Sequence, residues 1–124
     1  MTHEEFIETY YVIQRRAMLF QNKARREGLL ALEDDIDFEK AHKRDIFEYG
    51  IRFVVDGTDE ELIEKILSNI INQEKDGYSK TLKTIQKEAV LSIQQGHNPW
   101  MLLAILNSYT DTDFEEVDDL LTEV

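Results

Sequence analysis

Cysteine is absent from the 124-residue chain, which removes thiolate catalysis, Cys-based zinc sites and redox switching and accords with a reducing compartment. Proline occurs once, so no proline-rich linker divides the sequence. Long apolar runs are missing as well. The longest unbroken one is Trp100 to Leu106, far short of the roughly 20 residues that a helix needs to cross a bilayer. The opening Met-Thr-His-Glu-Glu lacks the basic start and apolar stretch of a secretory signal, so an uncleaved cytoplasmic chain with no direct membrane insertion is expected. Basic residues are scarce beside acidic ones, 14 against 26, for a formal charge of −12. Nucleic-acid phosphates and anionic lipids repel such a molecule on average, and basic protein partners suit it better.

What is present suits folding. Apolar residues make up 42% and charged residues 32%, the composition of a domain with a heavily solvated surface and not of a disordered chain. The glycines fall between segments of helical periodicity, where helix ends are punctuated. Thr2 and Glu5 form a capping box ahead of Phe6, Tyr10, Ile13, Ala17, Phe20 and Ala24, a stripe that predicts a helix over 3–27. Gly28 then ends or bends it, and Leu29, Leu30 and Leu32 precede the acids Glu33, Asp34 and Asp35 in a short helix or turn.

Four further helices follow from the same reasoning. Ala41, Phe47, Ile51, Val54 and Val55 place one over 38–56, with Gly57 as a left-handed stop. A Thr58–Glu61 box opens the next, which should run to Asp76. Ser79 is expected to cap a helix through Gln95 that Gly96 stops. Asn98 as cap and Pro99 at the first helical position start a helix to about Ser108, whose Trp100, Leu102, Leu103, Ile105 and Leu106 predict burial on most sides. Thr112 and Glu115 begin a last amphipathic segment carrying Phe114, Val117, Leu120, Leu121 and Val124 among acids. No fixed-period repeat or linker appears, so the expected fold is all-α: one compact domain over 1–124, a bundle of about five to seven helices.

Chemistry is sparse in this pattern. His3, His42 and His97 fall in separate segments without the paired spacing that puts two imidazoles on one metal. The acidic stretch Leu32 to Asp37 is followed by no glycine until Gly50, so it fails the EF-hand pattern. No phosphate-cradling glycine loop and no nucleophile elbow occurs. The reading therefore expects no catalytic residue, no metal and no cofactor, and a protein that acts by binding other proteins.

Two charge features stand out. Arg15, Arg16, Lys23, Arg25 and Arg26 precede Gly28, and Glu33, Asp34 and Asp35 follow it. They read either as surface salt bridges of little individual weight or as a bipolar patch that orients a charged partner. The acidic C-terminal segment reads either as a helix packed on the body or as one that docks in a partner's groove.

The stretch Lys23-Ala-Arg-Arg-Glu-Gly-Leu-Leu-Ala-Leu-Glu33, followed by Gly50-Ile-Arg-Phe-Val-Val-Asp-Gly-Thr-Asp-Glu-Glu-Leu-Ile63, resembles the large cytoplasmic loop of the motility protein A (MotA) family, the ion-channel stator subunits of bacterial flagellar motors. Glu88-Ala-Val-Leu-Ser-Ile-Gln-Gln-Gly-His-Asn-Pro99 is similar to the segment after the family's last membrane helix. Residues 23–74 thus resemble the loop and 86–108 the C-terminal cytoplasmic segment. The family's intervening pair of membrane helices has no counterpart here. The resemblance implies a stator-like interaction module that contacts the rotor switch protein (FliG-type) or stator subunits, without ion conduction or torque of its own. It carries the family's rotor-facing charges onto Arg25 and Glu33. Arg26, Asp34 and Asp35 lie close enough in sequence to contribute. The alternative is a structural adaptor or self-associating protein that reuses the fold outside the motor.

Overall fold

A computed structural model describes residues 1–42 and 44–111. Among these residues there are five α-helices, one 3-10 helix and no strand. They are α1 (His3–Glu27), the 3-10 helix Leu29–Asp35, α2 (Ile46–Val55), α3 (Glu60–Ile71), α4 (Gly77–Gln95) and α5 (Pro99–Asn107). The all-α architecture read from the sequence is the one observed.

Helix α4 is the central strut and packs against each of the other four α-helices. Its Ile85, Ala89 and Val90 are fully enclosed, and the core around them draws Tyr10 and Ala17 from α1, Leu32 from the 3-10 helix, Phe47 and Ile51 from α2, Ile63 and Leu67 from α3 and Leu102 and Leu103 from α5. Helix α2 comes especially close. A β-carbon on Gly50 would lie 2.7 and 2.9 Å from the two γ-carbons of Val90 and 3.2 Å from Cδ1 of Leu67. Glycine is required there by space, because its backbone dihedrals are ordinary for a helix.

The capping chemistry explains where helices start. Thr2 Oγ1 accepts the Glu5 N–H at 3.1 Å, and Glu5 Oε1 accepts the Thr2 N–H at 3.1 Å, which completes the reciprocal box. Asn98 Oδ1 accepts the Met101 N–H at 2.8 Å behind Pro99, as the spacing predicts. Gly57 and Gly96 have φ of 78° and 72° and stop their helices in the left-handed region that side chains avoid.

Three boundaries differ from the sequence expectation. Helix α2 begins at Ile46 and not at Phe38, because Asp45 takes the Glu48 N–H at 3.1 Å as cap, while Asp37 folds its own neighbours into a turn through the Glu39 N–H. Short acids compete in this way with the helical ladder. Helix α3 starts one residue late, with Asp59 as N-cap and no side-chain cap, so the Thr58–Glu61 box does not form. The Thr58 carbonyl is instead used by Gln94 Nε2 at 2.8 Å. That helix also ends at Ile71, before Asp76, because Asp76 is the cap of α4 and accepts the Ser79 N–H at 2.8 Å. Ser79 is therefore a donor inside the first turn and not the cap.

Trp100 is a further correction. It is 55% exposed and Met101 is 40% exposed, against the predicted burial on most sides. Helix α5 packs on α4 and α1, so Leu102, Leu103 and Leu106 face inward, while Trp100 and Met101 lie on an exposed side among the described residues. The amphipathic segment expected from Thr112 onward lies outside the described residues.

Carboxylates at the helix N-termini and in the turn between α3 and α4 give an acid limb to stability. Glu5 is held below its ordinary value by the Thr2 backbone N–H, Glu74 by its hydrogen bond from Lys83, and Asp76 by the Ser79 N–H. A group whose folded value is depressed stabilises the fold above its unfolded value and loses that contribution as pH falls through the folded one. The melting temperature is therefore expected to be level above about pH 5 and to fall progressively below it. Thr2→Ala should cost about 1 kcal/mol at neutral pH and reduce the steepness of this acid limb. Calorimetry or circular dichroism melts across pH measure both.

Candidate functional site

The charged residues on either side of Gly28 are placed by two short-range devices. Gly28 adopts φ 94° and ψ 159°, a region open essentially to glycine alone. Its N–H closes α1 on the Ala24 carbonyl at 2.8 Å. The turn sends the 3-10 helix back along α1, with Leu32 fully buried as its anchor. Lys23 then ties the two elements together, with Nζ 2.7 Å from Asp35 Oδ2 and 3.7 Å from Asp34 Oδ2. The hydrogen bond that Lys23 donates to Asp35 raises its ammonium above its ordinary value.

The five residues singled out from the sequence separate into three groups. Asp34 and Asp35 are exposed and engaged by Lys23. Arg25 is exposed and directs Nη1 toward the His97 carbonyl at 3.4 Å, an oxygen that also accepts Gln21 Nε2 at 2.7 Å. Arg26 and Glu33 are exposed and form no ion pair among the described residues. The structure does not bring Arg25 and Glu33 together. Cation and anion flank the turn separately, each open to water.

A groove of about 330 Å³ opens beside the arginines, lined by Asn22, Arg25, Arg26, Asn98 and Pro99 where the last turn of α1 meets the first turn of α5. Asn22 is 7% exposed, and its Oδ1 has no hydrogen-bond partner among the described residues. A second hollow of about 240 Å³ lies on the other side of Arg25, against Gly28, Leu29 and Gly96. Chemically, the first groove presents two guanidinium groups, which suit a carboxylate by fork-shaped, charge-assisted hydrogen bonding.

Two residues noted in the sequence take roles at the site that charge counting did not assign. Lys23 is the tie that aims the acidic turn, and nothing in the sequence marks it apart from the arginines beside it, because the pairing crosses the Gly28 bend. Leu30 is 70% exposed, an apolar tip between the basic and the acidic groups. The cluster Leu29, Leu30 and Leu32 was legible, but which leucine points outward depends on the threefold period of the 3-10 turn.

The histidines are dispersed. His3 lies 3.3 Å from Asp111 and His97 Nδ1 lies 2.9 Å from Ser92 Oγ, while His42 Nδ1 accepts the Arg44 N–H at 3.2 Å. Among the described residues no cluster of three or more His, Asp or Glu is arranged to hold a metal ion, and no helix is long and apolar enough to cross a membrane.

No family profile matches the chain, and no solved structure matches it. Among characterised proteins, motility protein A of Treponema phagedenis is 35% identical over 81 residues, which cover 64% of this chain and 30% of that protein. The chain is thus similar to motility protein A over a part of that protein's length.

Proposed function

We propose that this chain is a stator-like interaction module of the bacterial flagellar motor, binding the rotor switch protein or the stator ring in the cytoplasm through the charged groups around Gly28. The observation that carries the reading is the exposed pair of poles at this turn, Arg25 and Arg26 on one side and Glu33 on the other, none of them in an ion pair among the described residues, in a chain similar to motility protein A. An acidic side chain of the partner enters the groove at Arg25, Arg26 and Asn22. A basic one meets Glu33, with Asp34 and Asp35 adding to the field. Leu30 supplies the apolar contact between them. Rim charges of this kind set orientation and association rate more than raw affinity. No catalytic step is part of this reading.

The test is binding of purified switch protein by calorimetry or surface plasmon resonance. Reversing both poles, Arg25→Glu with Glu33→Lys, should weaken binding about 30-fold or more and flatten its salt dependence, about 1 kcal/mol per reversed charge. Binding unchanged by the double reversal would remove the reading, and circular dichroism shows that the variant is folded.

A further inference from the structure

Among the described residues, helix α1 carries an exposed face remote from its buried side, with Glu8, Val12, Arg15, Leu19 and Arg26 along it. Their spacing of four, three, four and seven residues is the alternation that places side chains in one stripe. Val12 is 69% and Leu19 50% exposed, and Glu8, Arg15 and Arg26 are exposed too. Arg16, next in sequence, does not belong to this face: it is held by Asp45 and Glu48 at 3.5 and 3.6 Å and lies 4.7 Å from the Phe47 ring centre.

The charges on the stripe cannot satisfy one another along the helix. The residue four beyond Glu8 is Val12 and the one four beyond Arg15 is Leu19, so each of these two charges has an apolar neighbour where an ion-pair partner would stand. Among the described residues none of Glu8, Arg15 and Arg26 forms an ion pair. The stripe is acidic toward its start and basic toward its end, and a helix with that polarity is complementary to itself reversed.

We infer that this face of α1 is a self-association surface whose occupant is a second copy of the chain, lying antiparallel about a two-fold axis that passes between Arg15 and Leu19. In that register Glu8 stands opposite Arg26 of the second copy. The aliphatic stem of Arg15 covers the second copy's Leu19, and the exposed Val12 flanks that contact on the same stripe. Each contact occurs twice, as an isologous interface requires. One helix pair with two apolar residues per copy is a small interface, so the dimer is weak and dependent on concentration.

Analytical ultracentrifugation over a hundredfold concentration range tests the inference. The parent chain should show a reversible monomer–dimer equilibrium that weakens with added salt. Glu8→Arg or Arg26→Glu alone should weaken it about tenfold, and the two together should restore it to within about threefold of the parent, because the exchanged charges face each other again. Rescue is a result that damage to the fold cannot produce. A monomer at every concentration, whether the face is solvated or taken by another molecule, overturns the inference. So does a double variant no better than the singles.

Discussion

Gly50→Ala is expected to destabilise the protein by about 1–2 kcal/mol, although alanine is the better helix former. In an exposed helix interior the exchange would gain about 1 kcal/mol from reduced backbone freedom in the unfolded chain. Here the new methyl group would stand 2.7 and 2.9 Å from the Val90 γ-carbons, and Val90 is fully enclosed. A β-branched side chain has no alternative rotamer of similar energy in a helix, so relief requires α2 and α4 to move apart. Overpacking costs about 1–3 kcal/mol, and contacts this short with an enclosed β-branched side chain belong in the upper part of that range, which exceeds the propensity gain. The companion variant separates clash from any other cause. Val90→Ala alone should cost about 1–3 kcal/mol as a cavity, and the double variant should cost distinctly less than the sum, because the Gly50→Ala methyl occupies the space vacated. Additive losses in urea unfolding would mean that the two helices do not meet as closely as described.

Gly28→Ala should be costly for a different reason, and it acts on the site as well as on the fold. Nothing lies within 4 Å of a β-carbon there, so sterics with neighbours play no part. The penalty is conformational: φ 94° with ψ 159° is strained for any residue with a side chain, at a cost of about 1–3 kcal/mol. The chain can escape by changing the turn, which would swing the 3-10 helix away from α1 and break the Lys23–Asp35 contact. The expected signature is a lowered midpoint together with loss of the Lys23 ammonium's hydrogen-bonded character in NMR and, under the proposed function, weaker switch-protein binding. A variant as stable as the parent would show that the turn relaxes without penalty.

The helical class was legible because each signal for it is local. Capping residues, stop glycines and 3.6-residue periodicity need no tertiary information, and α1, α4 and α5 lie within a few residues of their expected bounds. The misplaced boundaries share one cause: Asp45, Asp59 and Asp76 each take a cap position for which a hydroxyl residue or an apolar pattern also competed, and only the packed structure decides between two adjacent candidates. Burial on α1 was half legible. Phe6, Tyr10, Ala17 and Ala24 are buried as the stripe predicts, but Gln14 and Gln21 are buried beside them. They complete the three-and-four spacing of that seam, yet their polarity hides it. Their reason is tertiary, since Gln14 and Tyr10 meet Asn107 of α5 and Gln21 meets the His97 carbonyl. At the candidate site the sign and order of the charges were readable. Which of them remain available was not, because that depends on Lys23 reaching Asp35 across the bend and on Arg25 turning toward His97.

The side chains of His3 and Asp111 lie 3.3 Å apart, so the two ends of the described backbone share one pole of the bundle. Helix α1 carries the chain from that pole to Gly28 over a span of about 37 Å. A handle joined ahead of Met1 therefore sits at the far side of the molecule from Arg25, Arg26 and Glu33. Tethering the protein to a sensor surface by that end presents the charged turn outward to whatever flows past.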